Sequence, residues 1–345
     1  VLAGSPAGPW LSAQESGKAA QTDVLLGSGQ TDALLKDLKA ENVDVRRAAA
    51  NRVLLADRAT QEKALPLLIE ILEGDKDGQV RLAVLDSLAS LGPAAEPAIP
   101  ALVKTLKTDF GGRGSEATHQ DYRSALALSA IGEPAVEGLR GLLGEKKESV
   151  RAEVIMSLGR IGPPAKAAVP DLIPLLTDQS ERIRREASVA LAGIGEAAIG
   201  PLVEAAEGAD AIARRMALEG LGRIKPPNDA LRAAGLGRAE DSEPDVRAAA
   251  VRSLAALDVS EDVLSPLSIK SLKDPVESVR LAVVNLLVQR TALLSRLAPD
   301  LEPLLTAEDE GVAHHAAFLL GKAGPAAMPR LLEALRRKES RIDPI

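Results

Sequence analysis

The chain contains no cysteine. This absence excludes disulfide bonds, thiolate metal sites and cysteine nucleophiles together, and it leaves the cellular compartment open. Aromatic residues are almost as scarce, at 1% of the chain, whereas apolar residues make up 46%. The core must therefore be built from Leu, Val, Ile and Ala. Such small side chains let helices approach toward the lower end of the usual range of about 8 to 10 Å between axes.

Long hydrophobic runs and an excess of positive charge are also missing. No apolar run approaches the roughly 20 residues that a membrane-spanning helix needs. The chain has 49 acidic and 42 basic residues, which gives a net charge of -7. This balance disfavours a nucleic acid or an anionic membrane as the default ligand, although it is compatible with a local basic face.

The most prominent feature of the sequence is a repeated motif. A Val-Arg pair is followed by an alanine-rich run, and an apolar anchor stands seven residues after the arginine. The nine anchors are Val53, Leu88, Leu128, Leu158, Leu191, Leu221, Leu254, Leu287 and Leu320. Their spacing of 30 to 40 residues is typical of a solenoid, in which each unit buries its apolar face against its neighbours. The chain is therefore interpreted as one array.

Each unit has the pattern of an antiparallel helix pair. In residues 163–195, apolar residues at helical spacing predict a first helix, Asp178 begins a turn, and a second helix is predicted from about Glu181 to Ile194. Gly195 is typical of a left-handed helix cap. Prolines recur near the predicted start of the first helix, where a missing N–H costs little. They are Pro66, Pro100, Pro170, Pro201, Pro266, Pro303 and Pro329.

A second pattern is predicted to join neighbouring units. The second-helix arginine recurs at Arg46, Arg81, Arg151, Arg184, Arg214, Arg247 and Arg280. An acidic residue stands six positions earlier in several units, at Asp75, Glu145, Asp178, Asp241 and Asp274. In stacked units these residues should alternate as a ladder of charge-assisted hydrogen bonds along the short turns. We expect interruptions where Asp121 and Ala313 replace the arginine and where Ala213 replaces the valine before Arg214.

These features resemble HEAT repeats, in the short form also called phycobilisome-lyase-like repeats. The resemblance rests on the Val-Arg pairs at 80–81, 150–151, 246–247 and 279–280, on their upstream acids, and on the Leu-x-x-Ile-Gly close, and it covers residues 31–338. It implies an all-α, armadillo-like α-solenoid, a right-handed superhelix of about nine antiparallel helix pairs. It does not imply an activity, because that fold serves scaffolds, transport factors and some enzymes.

In the HEAT family the second helices line the concave face, so the resemblance implies a binding surface there. Positions one or two, five and nine after the ladder arginine share one helix face, and they vary from unit to unit. The candidate partner-binding residues are Arg160, Arg185, Arg215, Glu219, Arg223, Arg252, Asn285 and Gln289. The arginines predict a cationic groove for an acidic segment of a protein or peptide partner. A merely solvated helix face is the alternative.

The spacing of 40 residues before Leu128 marks an insertion over residues 108–119. It gathers residue types that are scarce in this chain, at Phe110, Arg113, His119 and the nearby Tyr122. Its glycines lack the Lys-Ser/Thr ending and the preceding strand of a phosphate-binding loop. The segment is interpreted as a tolerated surface insertion, with a binding lip at the edge of the groove as the alternative.

The sequence gives little support for a metal site or a catalytic site. HEAT-like hydroxylases hold a di-iron centre with His-Glu pairs, whereas this chain has His119-Gln120 and His314-His315. Adjacent helical residues diverge by about 100°, so His314 and His315 are interpreted as two surface histidines. No Gly-x-Ser-x-Gly elbow is present, and the carboxylates lie in turns or on polar helix faces. We therefore expect no metal and no cofactor.

The sequence thus favours a non-catalytic scaffold for protein–protein interaction. The competing class is a HEAT-like enzyme, either bilin-lyase-like or nucleic-acid-modifying, although aromatic residues are scarce for either ligand. Residues 1–30 are expected to form a linker or a processed export-signal remnant with a short cap. Residues 31–324 form the repeat array, and residues 325–345 a half-repeat cap at the C-terminal end. A cytoplasmic location is favoured, with export as the alternative.

Overall fold

The computed structural model describes residues 28–108, 115–226, 229–257, 259–329 and 331–332. The chain divides into two compact units, residues 1–138 and residues 139–345. Every regular element in the described residues is a helix, and none is a strand. In chain order the α-helices alternate as the first and second members of nine pairs. The predicted all-helical solenoid fold is therefore confirmed.

Even-numbered helices are the second members of the pairs. The N-terminal unit contains α1 (Ser28–Asp37), α2 (Val43–Leu54), α3 (Arg58–Gly74), α4 (Gly78–Leu91), α5 (Ile99–Lys107), α6 (Ser115–Ile131) and the beginning of α7 (Val136–Arg140). The C-terminal unit continues with α8 (Glu148–Ile161), α9 (Val169–Leu172), α10 (Glu181–Ile194), α11 (Glu196–Glu207), α12 (Ala211–Leu221), α13 (Asp229–Arg238), α14 (Pro244–Ala255), α15 (Glu261–Leu272), α16 (Glu277–Gln289), α17 (Thr291–Leu301) and α18 (Glu310–Lys322). Short 3-10 segments precede or extend several first helices, at Gly92–Ala98, Glu133–Ala135, Pro163–Ala168, Ile173–Thr177, Glu302–Thr306 and Pro325–Ala327.

The core lies where the second helices stack. In the N-terminal unit α2, α4 and α6 pack in series, and in the C-terminal unit α8, α10, α12, α14, α16 and α18 do the same. All nine apolar anchors are exposed by 1% or less. Burying a leucine or valine side chain contributes about 1.5 to 3 kcal/mol, so each anchor stabilises the contact between its own repeat and its neighbours.

The closest helix contact joins α8 to α10. A Cβ atom built on Gly193 would stand 2.6 Å from the carbonyl oxygen of Gly159, and one built on Gly159 would stand 2.8 Å from Cα of Ala190. Real Cβ atoms essentially never approach that closely. The two helices therefore meet backbone against backbone, which only small residues permit.

Helix ends follow local rules with one departure. Asp77 caps α4 by accepting the N–H of Val80, and Asp210 caps α12 by accepting the N–H of Ala213. Gly195 follows α10 with φ 80° and ψ -128°. The predicted left-handed helical cap is therefore wrong in ψ, although the positive φ still favours glycine.

The placement of several prolines also differs from the prediction. Pro66, Pro201 and Pro266 lie inside α3, α11 and α15 rather than near the helix start. In other repeats the residues before the proline form a separate 3-10 segment, as at Gly92–Ala98 before α5. In the repeats of Pro66, Pro201 and Pro266 the residues before the proline are α-helical, so the first helix begins earlier and continues through the proline.

The insertion is shorter than the sequence suggests. Helix α6 begins at Ser115, because the segment from Ser115 to His119 contains no glycine or proline to prevent helix formation. His119 is exposed and Tyr122 is half-buried, both on this helix. The prediction that these two residues belong to a loop is therefore wrong, and Phe110 and Arg113 lie outside the described residues.

Candidate functional site

The ladder arginines join the turn of their own repeat to the turn of the next. Nη1 of Arg247 donates to the carbonyl oxygens of Asp241 at 2.8 Å and Ser242 at 3.1 Å. Nε and Nη2 of Arg247 donate to Oδ2 and Oδ1 of Asp274 at 2.7 and 2.9 Å. Asp274 also accepts the backbone N–H of Val276 at 2.9 Å. One guanidinium group therefore satisfies two carbonyls and one carboxylate across a repeat boundary.

The most buried ladder contact joins Arg214 to Asp241, whose side chains are 9% and 3% exposed. Nε and Nη2 of Arg214 donate to the two carboxylate oxygens at 2.9 and 2.7 Å. Burial raises the pKa of Asp241, but the hydrogen bonds from Arg214 and a backbone N–H outweigh it, and the pKa lies below its usual range. The expected interruption at Ala213 is therefore absent. Arg46 and Asp75 form the equivalent pair in the N-terminal unit, at 2.6 Å.

Two ladder arginines contact the next repeat with a different geometry. Nη1 of Arg81 donates to the carbonyl of Asp75 at 2.6 Å, and its Nε donates to the amide oxygen of Gln120 at 3.4 Å. Arg151 lies 3.8 Å from the carboxylate of Asp178. The geometry of the ladder thus varies from repeat to repeat.

Two turns of the C-terminal unit lack the ladder acid. Gly208 and Ala307 stand at that position. The arginines that precede these turns, Arg184 and Arg280, each have a buried Nε with no hydrogen-bond partner. Nη1 of Arg280 donates to the carbonyl oxygens of Asp274 and Pro275 at 2.8 and 3.1 Å, and its ion pair with Asp309 of the next repeat is longer, at 3.6 Å. An arginine edge that binds a carboxylate elsewhere is therefore left unsatisfied at both turns.

The predicted surface residues of α12 and α14 meet in a cluster. Nη1 of Arg215 and Nη2 of Arg252 each lie 3.4 Å from Oε1 of Glu219. Nη1 of Arg223 donates to the backbone carbonyl of Glu219 at 2.7 Å. Arg223 and Arg252 are exposed, and Arg215 and Glu219 are half-buried. Two guanidinium groups contact the carboxylate of Glu219 and a third contacts its backbone carbonyl, so this group of residues, the Glu219 cluster, is cationic.

The remaining predicted surface residues lie on other second helices. Arg185 on α10 is exposed, forms an ion pair with Glu181 on the same helix and interacts electrostatically with Glu219. Arg160 is exposed near the end of α8, and Asn285 and Gln289 are exposed on α16. Of the arginines in the predicted groove, Arg215, Arg223 and Arg252 form hydrogen bonds to Glu219.

Exposed apolar side chains lie on the same helix face, and they were missing from the predicted site. Leu281 and Val288 on α16 are 42% and 38% exposed, and Phe318 on α18 is 43% exposed. Nζ of Lys322 lies 5.7 Å from the centroid of the Phe318 ring, within cation–π distance. Large apolar residues also stand five residues after the ladder position in other repeats, for example Met156 and the exposed Val189. The sequence pattern alone therefore did not single out Phe318.

The two adjacent histidines occupy different environments. His314 is exposed, whereas His315 is buried, and their ring centroids are 5.9 Å apart. Burial lowers the pKa of His315, and the positive charge of Arg280 lowers it further. The interpretation of both as surface residues is therefore wrong for His315, which stands two residues after the ladder position and is buried, whereas His314 directly after that position is exposed. No cluster of three potential metal ligands occurs among the described side chains, and no described helix is long and apolar enough to cross a bilayer.

Comparison with known proteins identifies the repeat. A family model described as HEAT repeats matches residues 31–120, 115–192, 136–221 and 199–288. No curated protein sequence matches the chain. The structure of Kap121p bound to Pho4p is similar at a TM-score of 0.59 and 14% identity, covering 91% of this chain and 39% of that chain.

Two further structures show more distant similarity. Kap95p, in a structure with RanGDP, gives a TM-score of 0.55 at 13% identity, covering 91% of this chain and 48% of that chain. This chain thus spans less than half the length of either Kap protein. The CpcE–CpcF complex of phycocyanin lyase from Nostoc sp. PCC7120 gives a TM-score of 0.36 at 21% identity, covering 68% of this chain and 91% of that chain, a likeness too low to bear on function. The two higher scores concern the fold alone.

Proposed function

Because this chain belongs to the HEAT-repeat family, we propose that it is a non-catalytic scaffold that binds a protein or peptide partner along the exposed face of its second helices. The observation that carries the proposal is the Glu219 cluster, in which Arg215 and Arg252 contact the carboxylate of Glu219 and Arg223 contacts its backbone carbonyl. The chain as a whole is acidic, with a net charge of -7. A cationic cluster on an acidic protein favours an acidic segment of the partner.

The architecture supports this reading physically. Repeats stack their apolar anchors inward and leave the intervening helix positions free to vary, which gives solenoids an extended binding surface. Kap121p, whose fold is similar over 91% of this chain, was crystallised bound to Pho4p, and Kap95p binds RanGDP. Those partners belong to those proteins, and they indicate only that a stack of this kind can hold another polypeptide.

The test is charge reversal at the Glu219 cluster with a matched control. The variant carries Arg215→Glu and Arg223→Glu. The control carries Lys270→Glu and Arg296→Glu, which make the same change in net charge on the first helices α15 and α17. Lys270 and Arg296 are 63% and 53% exposed. Both variants are expected to melt near the wild-type temperature, because exposed ion pairs contribute about 0 to 1 kcal/mol.

Affinity capture followed by mass spectrometry then separates the outcomes. The proteins retained by the wild type should be retained by the control and lost by the cluster variant. Equal retention by all three proteins would contradict a role for the cluster. A preparation that carries bound nucleic acid or a coloured chromophore would instead favour an enzyme class.

A further inference from the structure

Phe318 on α18 lies on the row of helix positions that carries the Glu219 cluster, and the exposed Leu281 and Val288 on α16 stand four residues before and three residues after the row position of their helix. Glu219 and Arg252 both stand five residues after the ladder position of their repeats, and they are in contact at 3.4 Å. Equal positions in successive repeats are therefore neighbours. Asn285 on α16 and Phe318 on α18 continue the same row, and all of these helices belong to the C-terminal unit.

Phe318 is an unusual residue to leave exposed in this chain. The sequence contains two phenylalanines, one tyrosine and one tryptophan, so aromatic side chains are not a general feature of its surface. Leu281 and Val288 add aliphatic surface on the neighbouring helix. Contiguous exposed apolar surface marks interaction sites in soluble proteins, and aromatic residues are enriched where interfaces concentrate their binding energy.

We infer that the partner segment carries two determinants: an acidic residue that binds the arginines of the Glu219 cluster, and an apolar side chain that packs on Phe318 and Leu281. This inference rests on the proposed function. The charge of the cluster selects the acidic residue of the partner. The apolar patch of Phe318 and Leu281, further along the row, selects the apolar side chain. A partner with only one of these residues would leave either the Glu219 cluster or the apolar side chains of Phe318 and Leu281 exposed to water.

The stacking of the helices sets the distance between the two determinants. Neighbouring helices pack about 8 to 10 Å apart, and α14 and α18 are separated by one helix of the row, α16. Two such steps, from Arg252 on α14, span roughly 16 to 20 Å, and three steps, from Arg215 on α12, span roughly 24 to 30 Å. An extended chain advances about 3.3 Å per residue, so the acidic and apolar residues of the partner should stand about five to nine residues apart.

A display library of random peptides of 16 residues is the probe for this inference. Selection on the wild-type protein should enrich peptides with Asp or Glu about five to nine residues from Leu, Ile or Phe. Selection on Phe318→Ala should lose the apolar preference but keep the acidic one. For a synthetic peptide from the wild-type selection, Phe318→Ala should raise Kd at least tenfold, whereas Val263→Ala, an equally exposed apolar residue on α15, should leave it within about twofold.

The outcomes separate this inference from the proposed function. Enrichment of acidic peptides that need Arg215 and Arg223 but ignore Phe318 would overturn the two-determinant inference and leave the scaffold proposal standing. Absence of any enriched spacing would overturn the inference as well. If sedimentation shows that the free protein forms a dimer that Phe318→Ala dissociates, the apolar patch holds a second copy of the chain, and the inference is wrong.

Discussion

Placing an aspartate at Gly208 is expected to strengthen the joint between α10 and α12. Gly208 stands at the position where other repeats carry the ladder acid. Its backbone, at φ -67° and ψ 173°, lies in the same extended region as that of Asp75, at φ -70° and ψ 134°. A Cβ atom on Gly208 would meet nothing closer than 3.4 Å. The new side chain should therefore enter without strain.

The expected gain in stability follows from the contact that the new carboxylate can make with Arg184. Nη1 of Arg184 donates to the carbonyls of Asp178 and Gln179 at 2.7 and 3.1 Å, as Arg247 does in its own turn, but its Nε is buried without a partner. A hydrogen bond to a charged group contributes about 1.5 to 3 kcal/mol, and desolvation of the carboxylate offsets part of this gain. Replacing glycine adds about 0.4 to 1 kcal/mol through the unfolded chain. The net increase in local stability should be about 1 to 3 kcal/mol.

Native-state hydrogen exchange of the amides in α12 is the appropriate assay. A solenoid opens locally, so a global unfolding midpoint reports poorly on one joint. Each 1.4 kcal/mol should slow exchange about tenfold. Gly208→Ala is the matched control for the glycine contribution, and Gly208→Asn supplies a similar shape without the charge. If Gly208→Asp exchanges no more slowly than Gly208→Ala, the absent carboxylate does not limit this joint.

Two further predictions concern packing and pH. Gly193→Ala forces a methyl group toward the carbonyl oxygen of Gly159, 2.6 Å away, and should cost about 1 to 3 kcal/mol. Gly237→Ala in α13, where a Cβ atom would meet nothing within 4 Å, should stabilise by about 0.5 to 1 kcal/mol. Melting temperatures that shift in the same direction for both variants would contradict the close contact. For His315, burial and the charge of Arg280 lower the folded-state pKa below the unfolded value of about 6.5. Neutral His315 therefore makes its full contribution to folding stability at pH values above the unfolded-state pKa, and this contribution is lost as the pH falls toward the folded-state pKa. Between pH 7 and pH 5 the melting temperature should fall further in the wild type than in His315→Leu, and equal falls would exclude this histidine as the cause.

The helical stack follows from the sequence because its signals are local and repeated. An anchor such as Leu191 recurs in phase with an arginine, a turn and a closing glycine, so each repeat confirms the period of the others. For α10 the helix bounds predicted from the sequence agree with the observed bounds, Glu181–Ile194. The residues of the Glu219 cluster that we propose bind the partner were selected by the same phase, although that phase alone did not show that Arg252 would reach a glutamate of the preceding repeat.

Other features depend on neighbours that a repeat pattern does not encode. The burial of His315 is set by the way α18 packs on α16. Pro201 lies inside α11 because the residues before it are helical, whereas those before Pro100 form a 3-10 segment. The unsatisfied edge of Arg184 becomes visible only when the next turn is seen to offer Gly208. In each case the decisive contact crosses from one element to another.

Adjacent arginines on the second helices have separate roles, which makes binding and stability separable by mutation. Arg214 is buried and uses both edges of its guanidinium to join two turns, whereas Arg215 is half-buried and contacts only the exposed side of the helix through Glu219. One residue along a helix turns the side chain by about 100°, so the first arginine faces the joint between repeats and the second faces the partner surface. The same division holds for Arg184, which faces its turn, and Arg185, which is exposed. A substitution at position 215 that changes affinity without changing the melting temperature therefore reports on recognition, because the neighbouring residue carries the structural contact.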